Sequence, residues 1–327
     1  STRTISGLNF QPDLLWSKAR NQSFSHNLYD SSRGNDKGLQ ANNANDENTQ
    51  DLFNGFTSDG YNTTTDGSAG DLLNYNTGTY VNWLWKANGG TTTTNDASVT
   101  GVGTIDSVYQ ANTNAGFSIV TYTGTGSTGT IAHGLGAVPK FILIKNRDDD
   151  SSNWRVYHGQ TGQSDPETDY MYLNTTQALS DGVYMNDTAP TSSVFSIGTH
   201  NDVGSSGDDY IAYLWAEIEG YSKIGSYTGN GSTDGTFVYT GFKPAFILGK
   251  STGTHNWFMF DNKRDVNNVV GSYLKADLDA VEGSGTYFDF LSNGFKVRAT
   301  TTWLNGSGTV YVYMAFAEAP FKYSNAA

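Results

Sequence analysis

Short runs in which apolar and polar positions alternate, separated by glycine, asparagine and serine, occupy this chain from end to end. Tyr311-Val-Tyr-Met-Ala-Phe316 shows the pattern, which predicts antiparallel strands joined by tight turns and leaves little room for long helices. Three denser apolar runs stand out, each entered through a proline and closed by a lysine. They are Leu8-Asn-Phe-Gln-Pro-Asp-Leu-Leu-Trp-Ser-Lys18, Gly136-Ala-Val-Pro-Lys-Phe-Ile-Leu-Ile-Lys145 and Gly241-Phe-Lys-Pro-Ala-Phe-Ile-Leu-Gly-Lys250. Each reads as a buried strand entered from a surface loop, with proline at a position where no ladder donor is needed.

The surroundings of the three runs repeat as well. Pro12 lies 68 residues before Tyr80, Pro139 lies 71 before Tyr210, and Pro244 lies 67 before Tyr311. Those tyrosines open the similar strands Tyr80-Val-Asn-Trp-Leu-Trp85, Tyr210-Ile-Ala-Tyr-Leu-Trp215 and Tyr311-Val-Tyr-Met-Ala-Phe316. Between proline and tyrosine come the turns Ser58-Asp-Gly60, Ser180-Asp-Gly182 and Ser292-Asn-Gly294, where glycine is expected to supply a positive φ. The expectation is an all-β chain of three tandem antiparallel β-sandwiches of jelly-roll or lectin-like order. Its divisions are 1–87, a Thr/Gly/Asn-rich linker with short strands at 88–116, then 117–220 and 221–327. Each sandwich is expected to hold its own aromatic core: Trp16, Phe56, Trp83 and Trp85; then Phe141, Trp154, Tyr213 and Trp215; then Phe246, Trp257, Phe295 and Phe316.

The first copy departs from the others at its start. Tyr122 and Tyr227, in the strands Val120-Thr-Tyr-Thr-Gly-Thr-Gly126 and Gly225-Ser-Tyr-Thr-Gly-Asn-Gly231, each lie 17 residues before the following proline, and nothing equivalent precedes Pro12. Either the chain is part of a longer one, or the first sandwich takes a strand from elsewhere. The stretch Ser98 to Tyr109 and a neighbouring chain are the candidate donors.

Composition narrows the function classes. The net charge of −13 and the scattered basic residues disfavour nucleic acid. The absence of cysteine excludes disulfides, thiol nucleophiles and thiolate metal sites. No apolar run is long enough to span a membrane, and the amino terminus carries no basic-then-apolar export signal, so an exterior location would be reached by carriage or lysis.

Certain strings are familiar. Leu28-Tyr-Asp-Ser-Ser-Arg-Gly34 with Leu39 and Glu47, Gly116-Phe-Ser-Ile-Val-Thr-Tyr-Thr-Gly124, and Tyr311-Val-Tyr-Met-Ala-Phe-Ala-Glu-Ala-Pro320 resemble the repeated β-rich modules of tail-fibre and other virion structural proteins of tailed bacteriophages, particularly marine ones. The resemblance covers nearly the whole chain and implies a virion appendage protein, without identifying a ligand. The second copy departs from it, with His158 and Thr161 where the first has Asp30 and Arg33 and the third has Asp261 and Arg264.

Candidate chemistry is sparse. Asp30/Arg33 and Asp261/Arg264 follow a strand, and read either as a polar clamp for a sugar or as turns held by a partly exposed ion pair. Glu217 and Glu318 follow the last strand of their copies, one carboxylate each, which suits a strand-end polar residue better than glycoside hydrolysis. Calcium is the metal the acidic runs would take: Asp148, Asp149 and Asp150, the pair Asp208 and Asp209 near Asp202, and the set Asp165, Glu167 and Asp169. The five histidines, His26, His133, His158, His200 and His255, are far apart in sequence, although His26 and His255 align in the repeat. Trp303 falls in a loop without counterpart and is the best candidate for a sugar-stacking ring.

The expected function is a non-enzymatic virion structural subunit, a tail fibre or surface appendage that displays loops to a host. Its expected partners are other virion subunits, copies of itself and host cell-surface polysaccharide, with assembly in the host cytoplasm. One alternative is a carbohydrate-binding adhesin. The other is a polysaccharide-degrading enzyme, which requires paired carboxylates or a His/Tyr/Arg group converging in one groove.

Overall fold

The computed structural model describes residues 2–49, 51–64 and 73–319. Pro320 and the rest of 320–327 lie outside the described residues. The first copy contains β1 (Arg3–Ile5), β2 (Leu14–Ala19), β3 (Asn27–Asp30), β4 (Lys37–Gln40), β5 (Asn48–Thr49), β6 (Phe53–Thr57), β7 (Gly60–Thr63) and β8 (Tyr80–Trp85). Next come β9 (Thr93–Asn95), the one-turn helix α1 (Ala97–Thr100), β10 (Ser107–Asn112), β11 (Phe117–Thr123), β12 (Gly129–Ala132), β13 (Pro139–Asn146), β14 (Arg155–His158), β15 (Asp169–Tyr172), β16 (Ser180–Asp181), β17 (Val194–Ile197) and β18 (Asp209–Ala216). The third copy supplies β19 (Ser222–Thr228), β20 (Phe237–Tyr239), β21 (Pro244–Ser251), β22 (Phe258–Asp261), β23 (Phe288–Leu291), β24 (Gly294–Val297), the one-turn helix α2 (Thr302–Asn305) and β25 (Val310–Ala317).

The fold is all-β and its strand ladders are antiparallel. Among the described residues three larger sheets run β5-β4-β3-β2-β8, β16-β15-β14-β13-β18-β11-β10-β9 and β19-β25-β21-β22; three smaller ones are β1-β7-β6, β12-β17 and β20-β24-β23. The three apolar runs are β2, β13 and β21, central strands buried on both faces, and this is why they read as continuous rather than alternating. Pro139 and Pro244 sit at a register shift in the ladder that follows.

Two sets of cores follow from that double burial. Leu15, Ile142 and Ile247 belong to three separate clusters, each lying between a larger sheet and its smaller partner. Their sequence neighbours Leu14, Trp16, Phe141, Leu143, Phe246 and Leu248 point the other way, into a single cluster shared by all three copies. This corrects the expectation of one aromatic core per copy. Trp16, Trp83, Trp85, Phe141, Trp154, Tyr213, Trp215, Phe246, Trp257 and Phe316 all belong to the shared cluster, and only Phe56 and Phe295 stay with their own copy. Trp85 of the first copy packs on partners from both of the others, with ring centroids 5.7 Å from Trp215, 5.8 Å from Phe316 and 6.0 Å from Phe246.

The turn glycines also differ from expectation. Gly60 and Gly294 do not have a positive φ; a Cβ there would lie 1.8 Å from the Ile5 carbonyl oxygen and 2.0 Å from that of Val238. Close approach of the opposite strand is what requires glycine. Ser180-Asp-Gly182 is not their counterpart, because Ser180 and Asp181 form β16 beside β15. The strand register places Val194, at the start of β17, opposite Gly60 and Gly294 in the repeat.

Candidate functional site

The lysine that ends each apolar run is buried: Lys18, Lys145 and Lys250 have no exposed surface. Each ammonium is spent on carbonyl oxygens. Lys18 Nζ donates to Ala19 at 2.5 Å and Gln22 at 3.0 Å, Lys145 to Asn146 at 2.6 Å and Asp149 at 3.1 Å, and Lys250 to His255 and, at 3.2 Å, Thr176. Burial pulls all three down to about 8, against the opposing pull of Asp279, Asp149 and Asp277 respectively.

The two Asp/Arg pairs are buried rather than partly exposed, and they lie where copies meet. Arg33 Nε donates to Asp30 at 2.5 Å and its Nη1 to Glu47 at 2.9 Å; Glu47 in turn receives Nε and Nη2 of Arg147, from the next copy, at 2.9 Å each. Tyr213 donates its hydroxyl to Asp30 at 2.7 Å. The other seam repeats this arrangement. Arg264 donates to Asp261 at 2.7 Å and Glu282 at 3.0 Å, Arg20 of the first copy donates to Glu282 at 2.9 and 2.8 Å, and the Trp83 indole stands where Tyr213 stood, 3.3 Å from Asp261. Burial would raise the carboxyls of Glu47 and Glu282, but the arginines outweigh it and hold both below their ordinary range. Asp261 and Arg264 are therefore a closed inter-copy bridge, not an open sugar clamp.

The departure of the second copy is now explained by the seam it forms with the third. Backbone bonds from Glu47 to Arg147, from Leu179 to Thr252 and from Glu282 to Arg20 identify the counterparts. Where two seams carry Asp, Arg, Glu and Arg, the remaining one carries His158, Thr161, Leu179 and Thr252. His158 Nδ1 accepts from the Gln160 amide at 3.2 Å, so Nε2 carries the proton and donates to the Tyr313 carbonyl at 3.2 Å. Burial lowers this histidine to about 4 and keeps it neutral. This seam lacks all four of those charges, so none of them is left unpaired in its interior.

A second inter-copy bond runs around the ring. Trp154 Nε1 donates to the Gln40 carbonyl at 2.8 Å and Trp257 Nε1 to the Tyr172 carbonyl at 2.7 Å. Strand register makes His26 their counterpart, not a partner of His255. His26 accepts the Trp16 indole N–H at 2.9 Å, and its Nε2 faces the backbone of Lys275 and Leu278 without closing a hydrogen bond.

The acidic candidates gather on two neighbouring loops. Asp149 accepts from Ser151, Ser152 and Asn201, and these bonds drop its carboxyl far below the usual range. Asp148 accepts the Asp209 amide at 2.6 Å, Asp208 accepts from Asn146 at 2.8 Å, and Asp150 is exposed. Among the described residues no three His, Asp or Glu side chains are placed to hold a metal ion. Glu217 pairs with Lys140 and Lys223, and Glu318 with Lys243. Trp303 is half-buried and ringed by aromatic neighbours: Tyr287 at 5.1 Å, Tyr273 at 5.3 Å, Phe258 at 6.2 Å and, in stacking orientation, Phe260 at 6.3 Å. It anchors its own loop.

One cluster was not assembled from the sequence. The Arg155 guanidinium lies over the rings of Tyr184, Tyr172 and Tyr170 at 3.3, 4.1 and 4.2 Å, and pairs with Asp202, while exposed His200 packs on Tyr184 at 4.6 Å. Its Nε and Nη1 have no hydrogen-bond partner. In the third copy Phe258 and Trp303 occupy the places of Arg155 and Asp202. The sequence singles out His200 and Asp202 separately, but nothing in it places them beside Arg155 and the three tyrosines.

A groove of about 490 Å³ beside the end of β8 is lined by Phe10, Leu84 and Lys86, by Asn112, Asn114 and Ala115, and by Ile218 and Tyr221.

Among known protein families, a model described as a domain of unknown function, DUF7483, matches residues 1–320. No curated protein and no solved structure matches the chain.

Proposed function

We propose that this chain, which belongs to the DUF7483 family, is a non-enzymatic structural subunit of a tailed-phage particle. In this reading it forms part of a fibre or surface appendage and presents loops to the host surface, in three β-sandwich units. The observation that carries the reading is where the ionisable groups go. Three lysines cap turn carbonyls, and two Arg-Glu-Arg bridges join one copy to another around a shared aromatic core. Such groups rigidify a scaffold, and a rigid scaffold suits loops that make many weak contacts multiplied by display in several copies. The resemblance of the repeated strings to virion modules points the same way. Antibodies against the chain should decorate purified particles in electron micrographs, and labelled chain should bind host cells. Particles that neither bind the antibody nor contain the chain by mass spectrometry would refute this.

A second reading rests on the Arg155 cluster. His200, Tyr170 and Tyr184 are partly open to solvent, and hydrogen bonding from Gln177 with the charge of Arg155 overcomes burial to lower the Tyr170 hydroxyl. Such a group suits proton transfer on a uronic-acid polysaccharide. Release of unsaturated products that is lost in Tyr170→Phe would favour that reading.

A further inference from the structure

The residue just before β3, β14 and β22 gives its backbone N–H to a side chain from a later segment of its own copy. His26 donates to Asn42 at 2.8 Å, Trp154 to Asn174 at 3.0 Å and Trp257 to Asp277 at 3.0 Å. Strand register aligns the three donors, and with them the residues that precede them, Ser25, Asn153 and Asn256. In the first two copies the acceptor then donates in turn. Asn42 Nδ2 reaches the Ser25 hydroxyl at 3.2 Å, and Asn174 Nδ2 reaches the Asn153 carbonyl oxygen at 2.8 Å.

The third copy departs from this, because the carboxylate of Asp277 has no N–H to give. The amide is turned over instead: Asn256 Nδ2 donates to Asp277 Oδ2 at 2.6 Å, and its Oδ1 accepts from Lys275 Nζ at 3.2 Å. Lys275 also belongs to this copy alone. It stands two residues before Asp277, where Gln40 and Tyr172 stand two residues before Asn42 and Asn174.

An amine, a carboxamide and a carboxyl are thus in mutual contact. The Lys275 nitrogen lies against the carbonyl group it would attack, and Asp277 touches the nitrogen that would leave. Asp277 and Trp257 are 5% and 1% exposed and Ala276 is fully buried, which limits the access of water, the competing nucleophile. Burial raises the Asp277 carboxyl above its ordinary range, against the bonds from Asn256 and Trp257 and the charge of Lys250. A carboxyl so placed can take up a proton and return it.

We propose that Lys275 and Asn256 join in an intramolecular amide cross-link, with Asp277 as the catalytic acid and base. Asp277 takes a proton from the Lys275 ammonium, and the Nζ lone pair bonds to Asn256 Cγ while the carbonyl π pair moves onto Oδ1. Asp277 returns the proton to Nδ2 and removes a second one from Nζ. The carbonyl re-forms, the Cγ–Nδ2 bond breaks, and ammonia departs with the remaining proton from Asp277. Lysine and asparagine become a secondary amide and ammonium, and no oxidant or reductant is consumed. The reaction occurs once per chain, so it is compatible with a structural role. It fastens the entry of β22 to the segment that bridges the same strand through Leu274 and Met259.

The purified full chain, incubated and weighed by intact-mass spectrometry, should be lighter by one ammonia. Its tryptic digest should contain the peptides of Asn256 and Lys275 joined, without cleavage after Lys275. Lys275→Arg should keep its full mass. Asp277→Asn makes the position match Asn42 and Asn174, so the acceptor for the Trp257 amide is retained, and the link should form about a hundred-fold or more slowly. A wild-type chain that keeps its full mass and is cleaved after Lys275 would overturn the proposal, and that measurement needs no variant to fold. So would an ammonia loss that survives in Lys275→Arg, because Asn-Gly sequences such as Asn230-Gly231 and Asn305-Gly306 can lose ammonia by cyclising on the next amide. Linkage at an unchanged rate in Asp277→Asn would overturn the part given to Asp277.

Discussion

Arg147 and Glu47 hold each other twice, through a bidentate side-chain pair at 2.9 Å and through the Glu47 amide donating to the Arg147 carbonyl at 2.8 Å. The same double hold joins Arg20 to Glu282. In both cases the glutamate also carries a buried arginine of its own copy, so its removal leaves that arginine on its aspartate alone and takes the bidentate partner from the other. Glu47→Ala is expected to destabilise the fold by about 3–5 kcal/mol, read from the denaturant midpoint at constant m. Converting the whole seam to its neutral counterpart, Asp30→His, Arg33→Thr, Glu47→Leu and Arg147→Thr together, should recover more than half of that loss. If the fourfold variant is less stable than Glu47→Ala, the seams are not interchangeable.

The shared core makes a prediction about cooperativity. Sandwiches strung in a row would unfold separately, whereas copies that bury Trp85 against Trp215 and Phe316 cannot part without exposing it. Far-ultraviolet dichroism and tryptophan fluorescence should report one coincident transition. Trp85→Ala should lower it as a whole by about 3–5 kcal/mol; three separable transitions would contradict a common core.

The repeat and its strands were legible because doubly buried strands leave apolar runs at fixed spacings, whereas the turn glycine misled in the second copy, where Val194 stands in its place. Which copy each aromatic faces was not. Leu14 and Leu15 are adjacent and equally apolar, and one points to the shared core while the other points to its own copy. The seams were half legible. The exchange of Asp30 and Arg33 for His158 and Thr161 was plain in the sequence, but its cause lay in Leu179 and Thr252, distant residues that only the fold places beside them. Trp303 looked free because its loop lacks a sequence counterpart, whereas Phe258, Phe260, Tyr273 and Tyr287 reach it from three other segments.

Trp303 supplies a prediction that separates anchoring from binding. Trp303→Ala removes a ring packed on four others and should cost about 2–4 kcal/mol, leaving any polysaccharide binding by the chain unchanged. A variant of unaltered stability that no longer binds glycan would make the ring a platform after all.

Three buried histidines set the acid response. Burial is the main cause that lowers His26 to about 3 and His133 and His158 to about 4, with the charges of Lys18 and Arg264 adding to the effect at His26. Below about pH 6.5 the unfolded chain takes up protons at these positions that the folded chain refuses, so stability falls as pH drops from there toward 4. The buried lysines act in the same sense at the other end. With folded values about 8, they bind fewer protons than the unfolded chain between there and their ordinary value of 10.5, so stability rises as pH increases through that interval. Buried tyrosines such as Tyr213 and Tyr227, held neutral chiefly by burial, oppose that rise once unfolded tyrosines ionise near about pH 10. The denaturant midpoint should therefore climb from pH 5 to about 9 and then turn over. Replacing His158 with Gln, which keeps a donor for the Tyr313 carbonyl, should flatten the acid limb by the share of one proton. An acid limb that begins only below pH 4.5 would assign the loss to the carboxylates of Glu47 and Glu282, which the arginines hold low, and not to the histidines.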